Sequence, residues 1–484
     1  MKALLLVFFL LFFVGCTESD SEENPTETPI DDNSSEPTTP QDPIVVEPEP
    51  LPSATQNPLY EQQWSINYDP TFYRRNGIST QANINMQDLL ETYSGKGIRV
   101  AVIDDGFEAS HPDMAQNVIA TRSVSSTGEV SNGVSHIYSE DHHGTAVAGI
   151  IGAANNTIGI MGIASNVELI LIQIPMEEYS DAATIRAFDL AQSLGADIIN
   201  CSWGTGDVTD SLESAMRNVA NNGRDGKGIF IVFASGNNDD LMYNDESAVD
   251  EVIAVAATDR EGLRATYSDF GPDLDISAPG GDLLGITTLD PLGSAGSSYD
   301  EYLRYDEIQD GYETSFIGTS AAAPILSGAL ALALEADPTL TRKELLLELQ
   351  YSATRIGENV PYMYDMISSD GSAPAVYGTF ANSGYSDFQV RLKENSTNVV
   401  YGPYTINSLG NNEWVSYISD PVEEGTYTIE VYAQDSIGET IFATDKSYII
   451  HSAYSNAFDN KLLRNDFYGY GKVDLFALIQ KIKE

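Results

Sequence analysis

Between Ile98 and Ala256 the chain alternates short apolar runs with longer amphipathic stretches, and that alternation restricts the possible folds more than any other feature. The runs Ile98–Ile103, Val167–Ile174, Asp197–Cys201, Ile229–Ala234 and Val252–Ala256 have strand length and little polar interruption. Thr145–Ala153, Asp181–Leu194 and Ser211–Asn221 lie among them with the spacing of helices. A strand that is apolar on both sides must be covered on both sides, and this chain supplies covering helices in between. The expectation is an α/β domain built on a parallel sheet with helices on both faces. Two further helices are expected at Ser320–Glu335 and Arg342–Tyr351.

From about Tyr362 to Ile450 the pattern changes. Segments such as FQVRLKE and TYTIEVYAQD alternate polar and apolar residues, and Asp435–Gly438 reads as a turn. This is all-β patterning, most like a small immunoglobulin-type sandwich. At 484 residues there is room for a large core and such an extra module.

The chain carries 72 acidic against 24 basic side chains, a formal net charge of −48. That balance argues against a nucleic-acid partner and favours cationic peptides or hard cations such as calcium. Residues 17–55 are rich in Pro, Thr, Ser, Glu and Asp and contain no Lys or Arg. Such a segment cannot bury enough apolar area to offset its ordering entropy, so a disordered acidic tether over 16–55 is expected. Ahead of it, Met1-Lys2 and the apolar run Ala3–Val14 read as a signal peptide over 1–15. Phe13-Val14-Gly15-Cys16 resembles a bacterial lipobox, which would make Cys16 a lipidated N-terminus; the alternative is an ordinary signal cleaved near Gly15. Either way the product is exported, with lipid anchoring to a cell-envelope membrane as the first expectation. Cys201 would be the remaining cysteine, a small buried hydrophobe, so no intramolecular disulfide is expected.

Three segments carry candidate chemistry: Asp104 in AVIDDG, His143 in HHGTAVAG and Ser320 in GTSAAAP. Acyl transfer needs a nucleophile, a base within reach, a carboxylate that orients the base, and donors for the oxyanion. Asp104 ends an apolar strand, where open α/β sheets place functional side chains. His143 and Ser320 each begin a helix rich in small residues, and Pro324 is expected in the first turn of the second. A helix N-terminus at Ser320 would direct partial positive charge toward a developing oxyanion.

The chain order Asp…His…Ser and these motifs resemble the subtilisin-like serine peptidases, over most of residues 56–362. The resemblance implies catalytic roles for Asp104, His143 and Ser320, and makes Asn237, in FASGN, a side-chain oxyanion donor. DFYGYGKVD at Asp466–Asp474 resembles the closing strand of that domain. The peptidase domain would then comprise 56–361 and 453–484, with the β-sandwich inserted at 362–452. NPLYEQQW, VIDDGFEASHPDM and CSWG resemble the kexin and proprotein-convertase branch, whereas YSDFGPDLDISAPG resembles the general bacterial enzymes. The convertase likeness implies substrate contacts from Ser202 and Gly204, and acidic positions at Asp105, Asp207 and Glu140 that would favour cleavage after basic residues. For Asp207 a solvated turn residue is an equal alternative.

AANNTIGIMGIA resembles the family's calcium loop. The likeness implies Asn156 as a side-chain ligand, Ala154, Ile158 and Ile160 as carbonyl ligands, Asp113 as the carboxylate, and Gln56 or Asn57 completing the shell. A second cation near Asp239, Asp245 and Glu246 is a further expectation. Residues 17–55 are too short and polar to form the folding-assisting propeptide that family members usually carry. The competing readings are a partner-binding surface lipoprotein with a vestigial peptidase fold, the β insert binding an unknown partner, and a structural surface protein.

Overall fold

In a computed structural model of the chain, the described residues are 56–136, 143–176, 178–242, 245–292, 312–357, 361–364, 375–380, 388–410, 413–418, 425–434, 439–444, 448–450 and 463–484. The expected signal peptide and tether, Cys16, Glu140 and the Asp435–Gly438 turn lie outside them.

A short helix, α1 (Pro70–Asn76), precedes β1 (Arg99–Asp104), β2 (Val118–Val124) and β3 (Val130–Asn132). There follow α2 (His143–Gly152), β4 (Glu168–Gln173), α3 (Asp181–Ser193), β5 (Ile198–Cys201) and α4 (Asp210–Asn222). Then come β6 (Phe230–Ala234), β7 (Val252–Thr258) and β8 (Ile276–Pro279). These eight strands form one sheet in the order β3-β2-β4-β1-β5-β6-β7-β8, parallel throughout except for the β2–β3 edge pair.

Both faces of the sheet are buried, and successive side chains on a strand serve opposite cores. Val100 and Val102 join the core with α2, while Ala101 and Ile103 join the core with α3 and α4. Local sequence fixes the helix starts: Ser180 accepts from Ala183 N at 3.2 Å, and Thr209 accepts from Leu212 N at 3.3 Å. Cys201 is fully buried at the end of β5, as a small hydrophobe would be.

A hairpin of β9 (Ile286–Leu289) and β10 (Tyr312–Phe316) leads into α5 (Thr319–Ala336), followed by α6 (Arg342–Ser352). Helix α5 is long and apolar enough to cross a bilayer, but 89% of it is buried inside the protein, so it is the core helix. Pro324 lies in the second turn of α5 rather than the first. It therefore withholds an N–H from the Ser320 carbonyl, and the Ser202 hydroxyl donates to that carbonyl instead, at 3.0 Å.

The next strands are β11 (Pro361–Tyr364), β12 (Ala375–Phe380), β13 (Gln389–Glu394), β14 (Val400–Thr405), β15 (Asn407–Gly410), β16 (Glu413–Tyr417), β17 (Gly425–Gln434), β18 (Glu439–Thr444), β19 (Tyr448–Ile450) and β20 (Leu463–Arg464). They make two antiparallel sheets, β15-β16-β12-β11-β20 and β14-β13-β17-β18, with β19 also on β17. Val376 and Trp414 from the first sheet share an apolar core with Val390, Leu392, Tyr427 and Ile429 from the second. Strand β20 lies beyond residue 452, so the all-β region recruits chain past the boundary expected from the sequence.

Beyond β20 the chain returns to the parallel-sheet core. Lys472 bridges Ser277 and Thr354, and α7 (Leu475–Lys483) buries Leu475, Leu478 and Ile479 in the same core as α5. Deleting buried atoms costs both transfer energy and a cavity. Leu475→Ala and Leu478→Ala should each destabilise the parallel-sheet domain by about 2–5 kcal/mol. Thermal unfolding followed by near-UV circular dichroism checks this, and an unchanged midpoint would show that α7 is not part of the core.

Candidate active site

The carboxyl ends of β1, β5 and β6 meet in one crevice, the place where open α/β sheets bind ligands. Asp104 ends β1 and is 1% exposed, and its Oδ1 lies 2.8 Å from Nδ1 of His143. His143 opens α2 and packs edge-on against Phe316, with ring centroids 5.4 Å apart. Gly144 must lack a side chain here: a Cβ would fall 2.4 Å from the Gly106 carbonyl oxygen and 2.9 Å from Cβ of Asp104. Small residues at the start of α2 thus let the histidine approach its carboxylate.

Ser320 is the second residue of α5, behind Gly318, whose φ of 125° suits glycine. In this conformation its hydroxyl donates to the Ser202 carbonyl at 2.9 Å, while the Ser202 hydroxyl donates back to the Ser320 carbonyl. Asn237 stands across from it in the loop after β6. Its Oδ1 accepts from Thr319 N at 2.9 Å and Thr319 Oγ1 at 3.0 Å, which leaves the amide hydrogens for the cleft. The loop is held by Asp269, whose Oδ1 accepts from Asn238 N and Asp240 N. Asp269 lies so close that a Cβ on Gly236 would be 2.0 Å from its Oδ2.

Two cavities open on this centre and share the Ser202–Thr205 wall. One, of about 660 Å³, is lined by Asp104, Asp105, His143, Met176, Tyr179 and Trp203. The other, of about 390 Å³, is lined by Gly204, Asn237, Thr319, Ser320 and Asp245. Ser202 and Gly204 therefore stand where substrate contact was expected, and Asp105 lies beside the histidine.

Asp207 does not. It is exposed, its N–H and carbonyl oxygen face the Thr205 hydroxyl, and Gly206 with φ of 71° turns it outward. Two acids line the smaller cavity, Asp269, which holds the Asn237 loop, and Asp245, which has Glu246 next to it. Asp245 presses on Gly204, where a Cβ would sit 2.7 Å from its Oδ2. Glu246 is fully buried and accepts from Thr205 N at 3.0 Å, Thr205 Oγ1 at 2.7 Å and the Tyr179 hydroxyl at 3.3 Å. Burial, then the hydrogen bond and charge of Glu246, push the Asp245 carboxyl up to about 8. Burial alone would raise Glu246 too, but hydrogen bonds from Asp245 and Thr205 hold it below its ordinary value. Asp239, expected near them around a second cation, pairs instead with Arg264 at 2.7 Å.

The expected calcium-loop residues also converge. Asp113 is fully buried, and its carboxylate accepts from Asn156 Nδ2 at 2.8 Å and Ile160 N at 2.9 Å. Asn57 is buried and touches both Asn155 and Asn156, whereas Gln56 is exposed, so Asn57 is the one that reaches the loop. Here the Asp113 carboxylate meets N–H donors; a hard cation would take its oxygens together with amide and carbonyl oxygens of the loop. Asn156 Oδ1 accepts from Ile158 N, so its amide would have to turn to offer that oxygen.

The Subtilase family pattern matches residues 95–364 of the chain. A calcium-dependent protease of Nostoc sp. is 31% identical over 334 residues, 64% of this chain and 49% of that protein. The chain thus spans about half the length of that relative. Subtilisin DY of Bacillus licheniformis is 30% identical over 287 residues, 58% of this chain and 92% of that protein. Among solved structures, a protease of Pseudoalteromonas arctica aligns with a TM-score of 0.51 at 25% identity, covering 62% of this chain and 93% of its own. The serine protease of Aeromonas sobria shares the fold, with a TM-score of 0.55 at 18% identity over 83% of this chain and 95% of its own. More than half of this chain follows the family pattern, His143, Asn237 and Ser320 included, and the chain belongs to the subtilase family.

Proposed function

We propose that this chain is an exported, lipid-anchored serine endopeptidase that hydrolyses peptide bonds and prefers a basic residue before the scissile bond. The observation that carries the reading is the 2.8 Å contact of His143 with buried Asp104, beside a serine at a helix N-terminus. Asp104 fixes the tautomer of His143 and stabilises its protonated form. The Ser320 hydroxyl turns from the Ser202 carbonyl to His143 Nε2, gives up its proton, and attacks the scissile carbonyl carbon. Negative charge on the carbonyl oxygen is met by the Asn237 amide and the Ser320 N–H, helped by the α5 N-terminus. His143 then protonates the leaving amine, and water repeats the sequence on the acyl-enzyme.

The Asp245–Glu246 pair, charged on Glu246 near neutral pH and on both acids above about pH 8, gives the smaller cavity the negative charge that would hold an arginine or lysine. Bound calcium would sit among Asp113, Asn156, Asn57 and the carbonyls of Ala154, Ile158 and Ile160, where it would stiffen the loop. The two-sheet region reads as an immunoglobulin-like insert that offers a surface to a partner. Lipid attachment at Cys16 would hold the enzyme at a membrane.

Five outcomes are expected. Against a peptide library, the full chain cleaves after Arg or Lys and Ser320→Ala does not cleave at all; no cleavage by a folded wild type would favour a vestigial site. Asn237→Ala should lower kcat by about 10²–10³ with little change in KM. At pH 9, where the Asp245 carboxyl is ionised, Asp245→Asn should reduce the Arg-over-Leu ratio of kcat/KM by about tenfold or more, the size of a lost charge-assisted hydrogen bond. In the wild type that ratio should rise between pH 7 and 9, because Asp245 loses its proton near 8 and the carboxyl pair gains a second charge. An unchanged ratio in both tests removes Asp245 as the selecting group. Calcium should raise the thermal midpoint of the wild type and leave that of Asp113→Asn unmoved, as read by calorimetry with and without EGTA.

A further inference from the structure

Only one oxygen of Asp104 is met by a donor among the described residues. Oδ1 accepts from His143 and from the Asp105 amide, at 2.8 and 2.9 Å. Oδ2 is buried and has no hydrogen-bond donor among the described residues. Leaving a buried carboxylate oxygen unmet is costly, and it matters here because Asp104 must hold His143 in place.

The group beside it is another acid. Asp105 is half-buried, and its Oδ1 is anchored by Gly106 N at 2.6 Å and Gly144 N at 2.9 Å. Ligand atoms of Asp104, Asp105 and His143 all lie within 4.8 Å of one another. Two carboxyl groups so close cannot both ionise cheaply, and a proton on one can donate to the other.

We propose that Asp105 holds a proton at neutral pH and donates it to Asp104, making Asp105 a positioning residue for the Asp104–His143 pair. The inference rests on the peptidase reading only for its effect on rate; the shared proton itself does not. The charged groups that face Asp105, just past the end of β1, are Asp104 at the strand's last position and His143 on α2. Gln173 on β4 donates to its backbone carbonyl and is neutral, and Tyr179 across the cavity has its own hydroxyl pushed up to about 12. Burial, then the Asp104 charge, push the Asp105 carboxyl up to about 8, against the lowering effect of His143 and the Gly144 amide. Below that pH Asp104 has a neutral donor beside it. Above it, the donor is gone and a second negative charge stands next to the dyad.

The test is the pH profile of kcat/KM on a peptide with leucine before the scissile bond, which leaves the Asp245 pocket out of the titration. An acid titrating near 8 passes from roughly a tenth to nine-tenths ionised between pH 7 and 9, so the wild-type value should fall about tenfold. In Asp105→Asn, a permanently neutral donor, the profile should be flat over that range whatever its height. Asp105→Ala, with no donor, should also be flat but lower than Asp105→Asn. The same fall in Asp105→Asn, or equal heights for Asn and Ala, would overturn the proposal. A second readout needs no turnover: the His143 Nδ1 proton resonance in Ser320→Ala should shift with a midpoint near pH 8 and should not shift in Ser320→Ala/Asp105→Asn. A shift present in both, or in neither, would contradict the shared proton, whereas failure of cleavage alone would contradict only the peptidase reading.

Discussion

Burial of helix α5 against the parallel sheet is the constraint on which the rest of the structure depends. Its apolar side chains pack with α2, the sheet and α7, so its position is fixed along its length. Its first turn carries Ser320 and Thr319, and fixing the helix therefore fixes the proposed nucleophile and the residue that orients Asn237. Pro324 sharpens the arrangement. By withholding an N–H from the Ser320 carbonyl it gives Ser202 a hydrogen-bond partner, and so joins the end of β5 to the start of α5. Core packing and site geometry are one requirement here.

Electrostatics sets the second layer. The cleft holds two carboxyl pairs, Asp104 with Asp105 and Asp245 with Glu246, in a chain whose net charge is already −48. Asp105 and Asp245 both have folded-state values near 8, far above the usual carboxylate range. An acid whose folded value is raised favours the folded state while protonated. That contribution is present below about pH 4 and is lost as pH rises toward 8. The cleft is thus a place where the fold gives up stability to hold charge, and a cationic side chain entering the Asp245 pocket would restore part of it.

Much of this was legible in the sequence. The strands at 98–103, 167–174, 197–201, 229–234 and 252–256 lie within two residues of the observed ones, because strands covered on both sides read as unbroken apolar runs. β2 and β8 were not read. VIATRSV is half-exposed and mixes polar residues, and ISAP is only four residues long and ends in proline. Asp104, His143, Ser320 and Asn237 come together in one crevice because each sits at or just beyond the end of an element that the pattern marks. Asp245 carries no comparable signal in the sequence. Asp207 is close in sequence to Ser202 and Gly204, but Gly206 turns it to solvent, while Asp245 reaches the same wall from the β6–β7 connection. Only the tertiary fold brings those two loops together. Pro324 was misplaced by one helical turn, which hid the reason that Ser202 lies against Ser320.

The most direct measurement of the central claim is intact mass and peptide mapping of the calcium-loaded full chain after treatment with a serine-directed fluorophosphonate. The account predicts one stoichiometric adduct, mapped to Ser320, and lost when His143 is replaced by alanine. A folded protein that stays unmodified, or is labelled at another serine, would contradict it.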